Sequence, residues 1–268
     1  MHSCLVGSEM CIRDRLPTNE ICLEVSSLSG EKLDSKEPFK DINFILSKGE
    51  ILGIAGVEGN GQRELTESIL GIYPLSQGTI TVDGINIDNM ATRQRRSLGI
   101  NFIPEDRQTQ GLVMDNSLIE NAMLGRQNKD MYKTRFKSVN FKNSRKFSNK
   151  IIDQYDVRTP NSSTLALALS GGNQQKFVVG RELEDNPSLL VASQPTRGID
   201  IGAQSLIWEE LREARDAGLG VLLISADLEE LLGLSDRLLV MYEGKIVKEL
   251  LPEDATPELL GAYMTGLK

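Results

Sequence analysis

Ile51-Leu52-Gly53-Ile54-Ala55-Gly56-Val57-Glu58-Gly59-Asn60-Gly61-Gln62-Arg63 is the stretch on which the reading of the chain turns. Its first five residues form a short apolar run bounded by turn formers, the pattern of a buried strand. Closely spaced glycines then carry the backbone through a tight turn. The periodicity predicts a helix from about Gln62 to Leu70. A strand, a glycine-rich turn and a helix start make a phosphate cradle, because successive N–H groups converge there and the helix N-terminus adds positive potential. Taken alone, the stretch is equally compatible with a tight strand-to-helix turn that binds nothing.

Outward from this stretch, Ile21 to Val25 alternates as a strand and Phe39 to Leu46 is a second candidate, followed by a turn at Lys48-Gly49-Glu50. Gly78 to Val82 leads to the turn Asp83-Gly84, and Leu98 to Ile103 reads as a buried strand ending at Pro104. Leu118 to Ile152 reads as mostly helical, interrupted by a polar, basic middle. Leu189 to Ala192 and Val221 to Ser225 are short apolar strands, each followed by a helix. Leu238 to Tyr242, Gly244 and Ile246 to Leu250 predict a terminal hairpin. Strands alternating with helices predict an α/β fold with a mainly parallel sheet. The early strands predict an antiparallel β annex, and about residues 110–165 a helical subdomain.

The 268 residues, 40% hydrophobic and 25% charged, match a globular chain with ample core. A formal charge of −8, from 38 acidic and 30 basic side chains, argues against a nucleic-acid footprint over the whole molecule. The single histidine is His2, which rules out His–Asp–Ser triads and multi-histidine metal sites. Cys4, Cys11 and Cys22 crowd the N-terminus, unlike the distributed pairs of a disulfide framework, so a reducing compartment is expected. No apolar run approaches the roughly 18 residues that cross a bilayer, and the N-terminus lacks a secretion-signal pattern. Met1 to Arg15 (MHSCLVGSEMCIRDR) has no periodicity and resembles translated read-through of sequencing-adapter DNA. The alternative is an ordinary disordered tail. On the first reading, residues 1–15 stand outside the protein, and one domain occupies residues 16–268, with Leu16 to Glu20 suited to a linker.

The cradle can be compared with the phosphate-binding pattern G-x-x-x-x-G-K-[ST]. The glycines Gly56 and Gly61 keep its spacing, with Gly59 and Asn60 inside the loop. Gln62 stands where the lysine belongs and Arg63 where a hydroxyl would hold magnesium. Gln62 donates a neutral hydrogen bond, worth about 1 kcal/mol against roughly 1.5–3 for a charge-assisted one. Arg63 cannot coordinate a cation. A dinucleotide-binding reading would use Asp83 as the ribose acid, about 20 residues on. It fails because Glu64 then occupies the third glycine position and Asp83-Gly84 looks like a hairpin turn.

A second motif, Leu169-Ser170-Gly171-Gly172-Asn173-Gln174-Gln175-Lys176, resembles the LSGGQ signature of ABC-type ATPases with an inserted Asn. It lies between the glycine loop and a strand followed by Gln194-Pro195-Thr196-Arg197-Gly198-Ile199-Asp200. That ordered set is specific, and the resemblance extends from about Ile21 to Gly266. It implies the ABC-type P-loop NTPase core. The sequence is similar to the C-terminal ATP-binding half of double-cassette importers for simple sugars and nucleosides. Pro104-Glu105-Asp106-Arg107 with Gly111-Leu112, Asp156 to Pro160, and Gln194 to Ala203 resemble the nucleoside branch.

The resemblance implies ATP bound at Gly56, Gly59, Asn60, Gly61, Gln62 and Arg63, and a signature that reaches the ATP of a partner cassette through Ser170, Gly171, Gly172 and Gln174. Asp200 matches the D-loop. No intact catalytic set remains: Ser193 replaces the Walker B aspartate, Gln194 the water-polarising glutamate, Ala226 the switch histidine, and Glu105 the glutamine that senses γ-phosphate. Phosphoryl transfer needs metal, lysine and water positioning together, so this half is expected to have little or no ATPase activity of its own. The implied cofactors are ATP here and Mg²⁺ at the partner site only, with no metal site in this chain. The implied partners are the N-terminal cassette, transmembrane permease subunits and, indirectly, a substrate-binding protein. The implied location is the cytoplasmic face of the membrane, peripherally.

Two other readings carry other partners. Lys129 to Lys150 holds eight basic residues against Asp130, interleaved with aromatics, which suits single-stranded nucleic acid or, more simply, a solvated helical insert. A soluble two-cassette factor acting on RNA or DNA is the alternative function; the importer reading has no nucleic-acid partner. The other reading is an ATPase in its own right, working through unrecognised groups. Glu209-Glu210 and Glu229-Glu230 are expected on solvated helix faces, and Met241 and Trp208 in the core. An adenine-stacking aromatic is expected near Asp34, where none occurs.

Overall fold

A computed structural model describes residues 20–32, 37–127, 129–133 and 139–267. His2, Cys4, Cys11, Leu16 and the neighbourhood of Asp34 lie outside them. In chain order the strands and helices are β1 (Ile21–Gly30), β2 (Ile42–Ser47), β3 (Ile51–Ala55), α1 (Gln62–Ile69), β4 (Leu75–Val82), β5 (Ile85–Asn86), α2 (Thr92–Ser97) and β6 (Ile100–Ile103). After β6 come α3 (Leu118–Asn121), α4 (Phe141–Gln154), α5 (Gly171–Leu183), β7 (Leu189–Ser193), α6 (Ile201–Asp216) and β8 (Gly220–Ser225). The chain closes with α7 (Leu228–Leu234), β9 (Arg237–Tyr242), β10 (Lys245–Leu250) and α8 (Pro257–Met264).

The larger sheet has the order β10-β9-β3-β8-β7-β6, parallel from β9 to β6. Its inner parallel strands β3, β8 and β7 read as nearly unbroken apolar runs because both faces are covered. The pleat divides them cleanly. Ile51, Val221, Leu223, Leu190, Ala192, Leu238 and Val240 join a core with the residues of α5 to α8, whereas Leu52, Ile54, Leu222, Ile224, Val191, Leu239 and Met241 join a second core. That second core is completed by α1 and by the antiparallel sheet β2-β1-β4-β5, the annex expected from the sequence. β1 runs five residues beyond the predicted end at Val25, through irregularities in register with both β2 and β4 that let it curve around the core.

The region between β6 and α5 departs from its prediction. Less of Leu118 to Ile152 is helical than read: among the described residues the α-helices there are α3 and α4, with turns and a short 3₁₀ segment at Asp130–Tyr132 in the interrupted middle. Gly125 and the charged run around it favour turns, and Arg126 is drawn inward. There it meets Glu182, near the end of α5, which is wholly buried. Its Oε2 accepts from Arg96 at 2.8 Å and Arg126 at 2.9 Å, and its Oε1 from Arg181 at 2.8 Å. Arg126 also pairs with Asp185 at 3.1 Å, and Asn101 on β6 donates to the Glu182 carbonyl at 2.6 Å. Burial works against the Glu182 charge, but the guanidiniums of Arg126, Arg181 and Arg96 outweigh it and hold the carboxyl at about 2.

Removing one partner of such a cluster leaves uncompensated buried charge. Glu182→Ala is expected to cost about 3–5 kcal/mol in a urea melt, seen as a lower midpoint. Glu182 supplies stability above its ordinary 4.5 that is lost as pH falls towards 2. Glu210 on α6 works oppositely: burial and then Glu213, Glu184 and Glu209 push it up to about 7. Its neutral form favours the fold below 4.5, and that contribution disappears as pH rises through 7. Glu210→Gln should therefore raise the melting temperature at pH 8 and have little effect at pH 4. An equal effect at both would contradict the assignment.

Candidate nucleotide site

The parallel strands place the relevant loops along one edge of the sheet, outside their carboxyl ends, where α/β folds bind ligands. Ala55 is in register with Ser225 and Ile224 with Ser193, while Ile103 pairs with Ala192. At about 4.8 Å per strand, the cradle after β3 lies one strand from Ser225-Ala226, two from Ser193-Gln194 and three from Pro104-Glu105. The structure thus brings Ser193, Gln194, Ala226 and Glu105, the four positions singled out in the sequence, to the same sheet edge as the cradle.

Within the cradle, Gly59 has φ +90° and a Cβ there would meet nothing within 4 Å, so its open side faces out. Gly61 caps α1 in the left-handed region at φ +98°, with Pro38 O only 2.2 Å from where a Cβ would stand. No side chain caps α1, leaving its first amides to a ligand or solvent. Gln62, however, is buried and folds back into the loop. Its Nε2 donates to Val57 O at 3.3 Å and lies 1.8 Å from the position of a Cβ on Gly56. Asn60 turns away from the cradle: its Nδ2 donates to Met241 O and Met264 O, and its Oδ1 accepts from the Glu243 amide at 3.1 Å. Asn60 therefore fastens the β9–β10 turn and α8 to the loop. Arg63 is exposed and paired with Glu67 at 2.9 Å.

The uncapped amides at the start of α1 fit a phosphate. The side chains do not fit Mg²⁺: the set offers the Ser193 hydroxyl and the Glu105 carboxylate, and the latter is already held by Arg197. Gln194 and Glu105 come together, Nε2 to Oε1 at 3.4 Å, but Glu105 is also ion-paired to Arg197. Gln194 keeps a left-handed backbone at φ 46°, a strained conformation that clusters at active sites. Ala226 is exposed and carries no polar group.

The signature stands apart from this set. Ser170 caps α5, its Oγ accepting from the side-chain Nδ2 of Asn173 at 2.9 Å. The inserted Asn173 also accepts from the Arg158 amide at 2.9 Å, fixing the approach to the helix. Gln174 is buried beneath it, donating to Ala166 O and Leu169 O, so its side chain supports the loop and is not presented outward. Asp200 caps α6 through the Ala203 amide at 3.0 Å, which holds its carboxyl below the usual carboxylate range.

Two residues escaped the sequence reading. Glu230, expected in solvent, is buried and accepts from Thr196 at 2.6 Å and Trp208 at 3.3 Å, and burial pushes its carboxyl up. Trp208 is only half-buried, with Arg212 stacked 5.7 Å from its ring. Arg107 bridges Arg197 O and Gly198 O. Nothing local in the sequence marks either role, because the partners are distant in the chain. Met241 is core as expected.

A family model described as ABC transporter matches residues 39–197. The guanosine import ATP-binding protein NupO of Bacillus subtilis is 42% identical, covering 98% of this chain and 52% of its own. The glucose import ATP-binding protein TsgD13 of Haloferax volcanii is 40% identical over 98% of this chain and 48% of its own. The ribose import ATP-binding protein RbsA of Clostridium perfringens is 37% identical over 96% of this chain and 51% of its own. The chain spans about half the length of these curated relatives. A solved nucleotide-free ATP-binding cassette from an ABC transporter matches with a TM-score of 0.75 at 21% identity, covering 91% of this chain and 99% of that one. A cassette in its ADP conformation gives 0.74 at 22% identity over 91% and 98%. Fold, motif order and relatives agree: the chain belongs to the ABC transporter family as an ATP-binding domain close to those of sugar and nucleoside importers.

Proposed function

We propose that this domain is the C-terminal, degenerate half of a double-cassette importer ATPase for nucleosides or simple sugars. It lends Ser170, Gly171, Gly172 and Asp200 to an ATP site built on the N-terminal cassette, and its own cradle is catalytically silent. One observation carries the reading: the catalytic positions at the sheet edge hold Gln62, Ser193, Gln194 and Ala226, whereas the signature helix keeps its Ser170 cap and two glycines. Metal, lysine and oriented water act as a unit in phosphoryl transfer, so losing all of them leaves little to catalyse. A helix N-terminus with free amides, by contrast, still stabilises a transferring phosphoryl group.

Mg²⁺ accordingly belongs to the partner's site, and ATP held here is bound through backbone amides of Gly59, Gly61 and Gln62. The permease contacts the helical subdomain, and the assembly lies on the cytoplasmic face of the membrane; among the described residues no helix is long and apolar enough to cross it. Relatives that import guanosine and glucose match at 42% and 40% identity, so this domain carries little information on the solute.

ATPase assay of the full two-cassette protein with its permease tests the reading. Ser170→Arg should abolish turnover, while Gln62→Ala should leave it within about two-fold. The reverse pattern would overturn the assignment. Permease-independent, salt-sensitive RNA or DNA binding would favour the nucleic-acid alternative instead.

A further inference from the structure

We propose that Arg107 is a positioning residue that locks the signature loop to the turn after β7, so that Ser170 and Asp200 present one rigid face to the partner's nucleotide. The inference rests on the reading that the signature serves the partner's site. It starts from a planar guanidinium shared between segments far apart in the chain. Nη1 donates to Arg197 O at 3.0 Å and Nη2 to Gly198 O at 3.3 Å. On its other side the same Nη2 lies 2.5 Å from where a Cβ on Gly171 would be, so the guanidinium is packed against the first residue of α5. The next signature residue closes the contact: a Cβ on Gly172 would stand 2.9 Å from Asp200 Oδ2 and 3.2 Å from the Ala203 Cβ. Both signature glycines are thus needed for contact with the Arg107 and Asp200 side chains, in addition to any ligand.

The segment that carries Arg107 is itself built for rigidity. Asp106 accepts from the Gln108 and Thr109 amides at 2.9 and 3.3 Å, capping a single π-turn over Arg107–Gly111. Such turns are rare and recur at functional sites. Gln108 Nε2 reaches Gln174 Oε1 at 3.4 Å, a second tie to the signature helix. One residue before the cap, Glu105 is ion-paired to Arg197 and accepts from Gln194. Residues 105–108 therefore strap three things together: the end of β7, the turn leading to Asp200, and the start of α5. Arginine suits this task because its fork can span two carbonyls, whereas lysine offers one point charge.

Loosening the strap would let Ser170 and the first α5 amides drift from Asp200. A misplacement of about 1 Å at the reacting phosphate costs on the order of 10²-fold in rate. The partner's own loop still grips the nucleotide, so binding should change much less. In the full two-cassette protein with its permease, Arg107→Ala and Arg107→Lys should each lower kcat by about ten-fold or more with KM for ATP within about three-fold, while the thermal midpoint stays within about 3 °C. Failure of lysine to rescue is the signature of a two-carbonyl clamp.

The control is Ser170→Arg in the same preparation. If it retains turnover, the functional reading fails. If it abolishes turnover while both Arg107 variants keep kcat within two-fold, the clamp fails and the reading stands. Full rescue by Arg107→Lys, or a rise in KM with unchanged kcat, likewise overturns the clamp. Should Arg107→Ala not fold, Arg107→Lys alone decides between the loss and the rescue.

Discussion

The buried carboxylate of Glu182, gripped by Arg96, Arg126 and Arg181, fixes the far end of α5, and through α5 it fixes the loop that begins the helix. A charge taken out of water at this depth is tolerated only with full compensation, so α2, β6 and the loop around Arg126 are all held to one arrangement. The opposite end of the same helix carries Ser170-Gly171-Gly172, packed on Arg107 and Asp200. A helix anchored inside the domain at its C-terminus and exposed at its N-terminus is a rigid means of delivering amides to something outside. Preorganisation of this kind avoids reorganisation during the chemical step.

The other phosphate-shaped feature has developed in the opposite sense. The glycine loop keeps its backbone, including left-handed Gly59 and Gly61, but Gln62 fills the space under Gly56 and bonds the loop to itself. Arg63 is spent on Glu67, and Glu105 on Arg197 and Gln194. These side chains satisfy one another. Gln194 carries a strained left-handed backbone at φ 46°. On the proposed function, the geometry of the cassette persists here while its chemistry does not.

How far this was legible in the sequence follows from the range of each interaction. The parallel strands were, because two-sided burial writes itself as uninterrupted apolar runs, and β3 falls at Ile51–Ala55 as read. The turn between β3 and α1 was legible from glycine spacing, which the left-handed backbone at Gly59 and Gly61 demands locally. The helical region was read too long, since Gly125 and the inward turn of Arg126 respond to Glu182, over fifty residues away in the chain. Glu230 looked solvated because its partners, Thr196 and Trp208, belong to other elements. The inward fold of Gln62, the turning of Asn60 toward β9 and α8, and the reach of Arg107 are all tertiary events on residues whose type alone suggests something else.

The proposed function requires an asymmetry between a silent cradle and a working signature, and trapping measures it directly. The full two-cassette protein, turning over Mg-ATP in the presence of orthovanadate, retains ADP only at sites that have hydrolysed. The account predicts one trapped ADP per two-cassette polypeptide, located on the N-terminal cassette by photolabelling. Two trapped nucleotides, or labelling of this domain's Gly56–Arg63 loop, would contradict it.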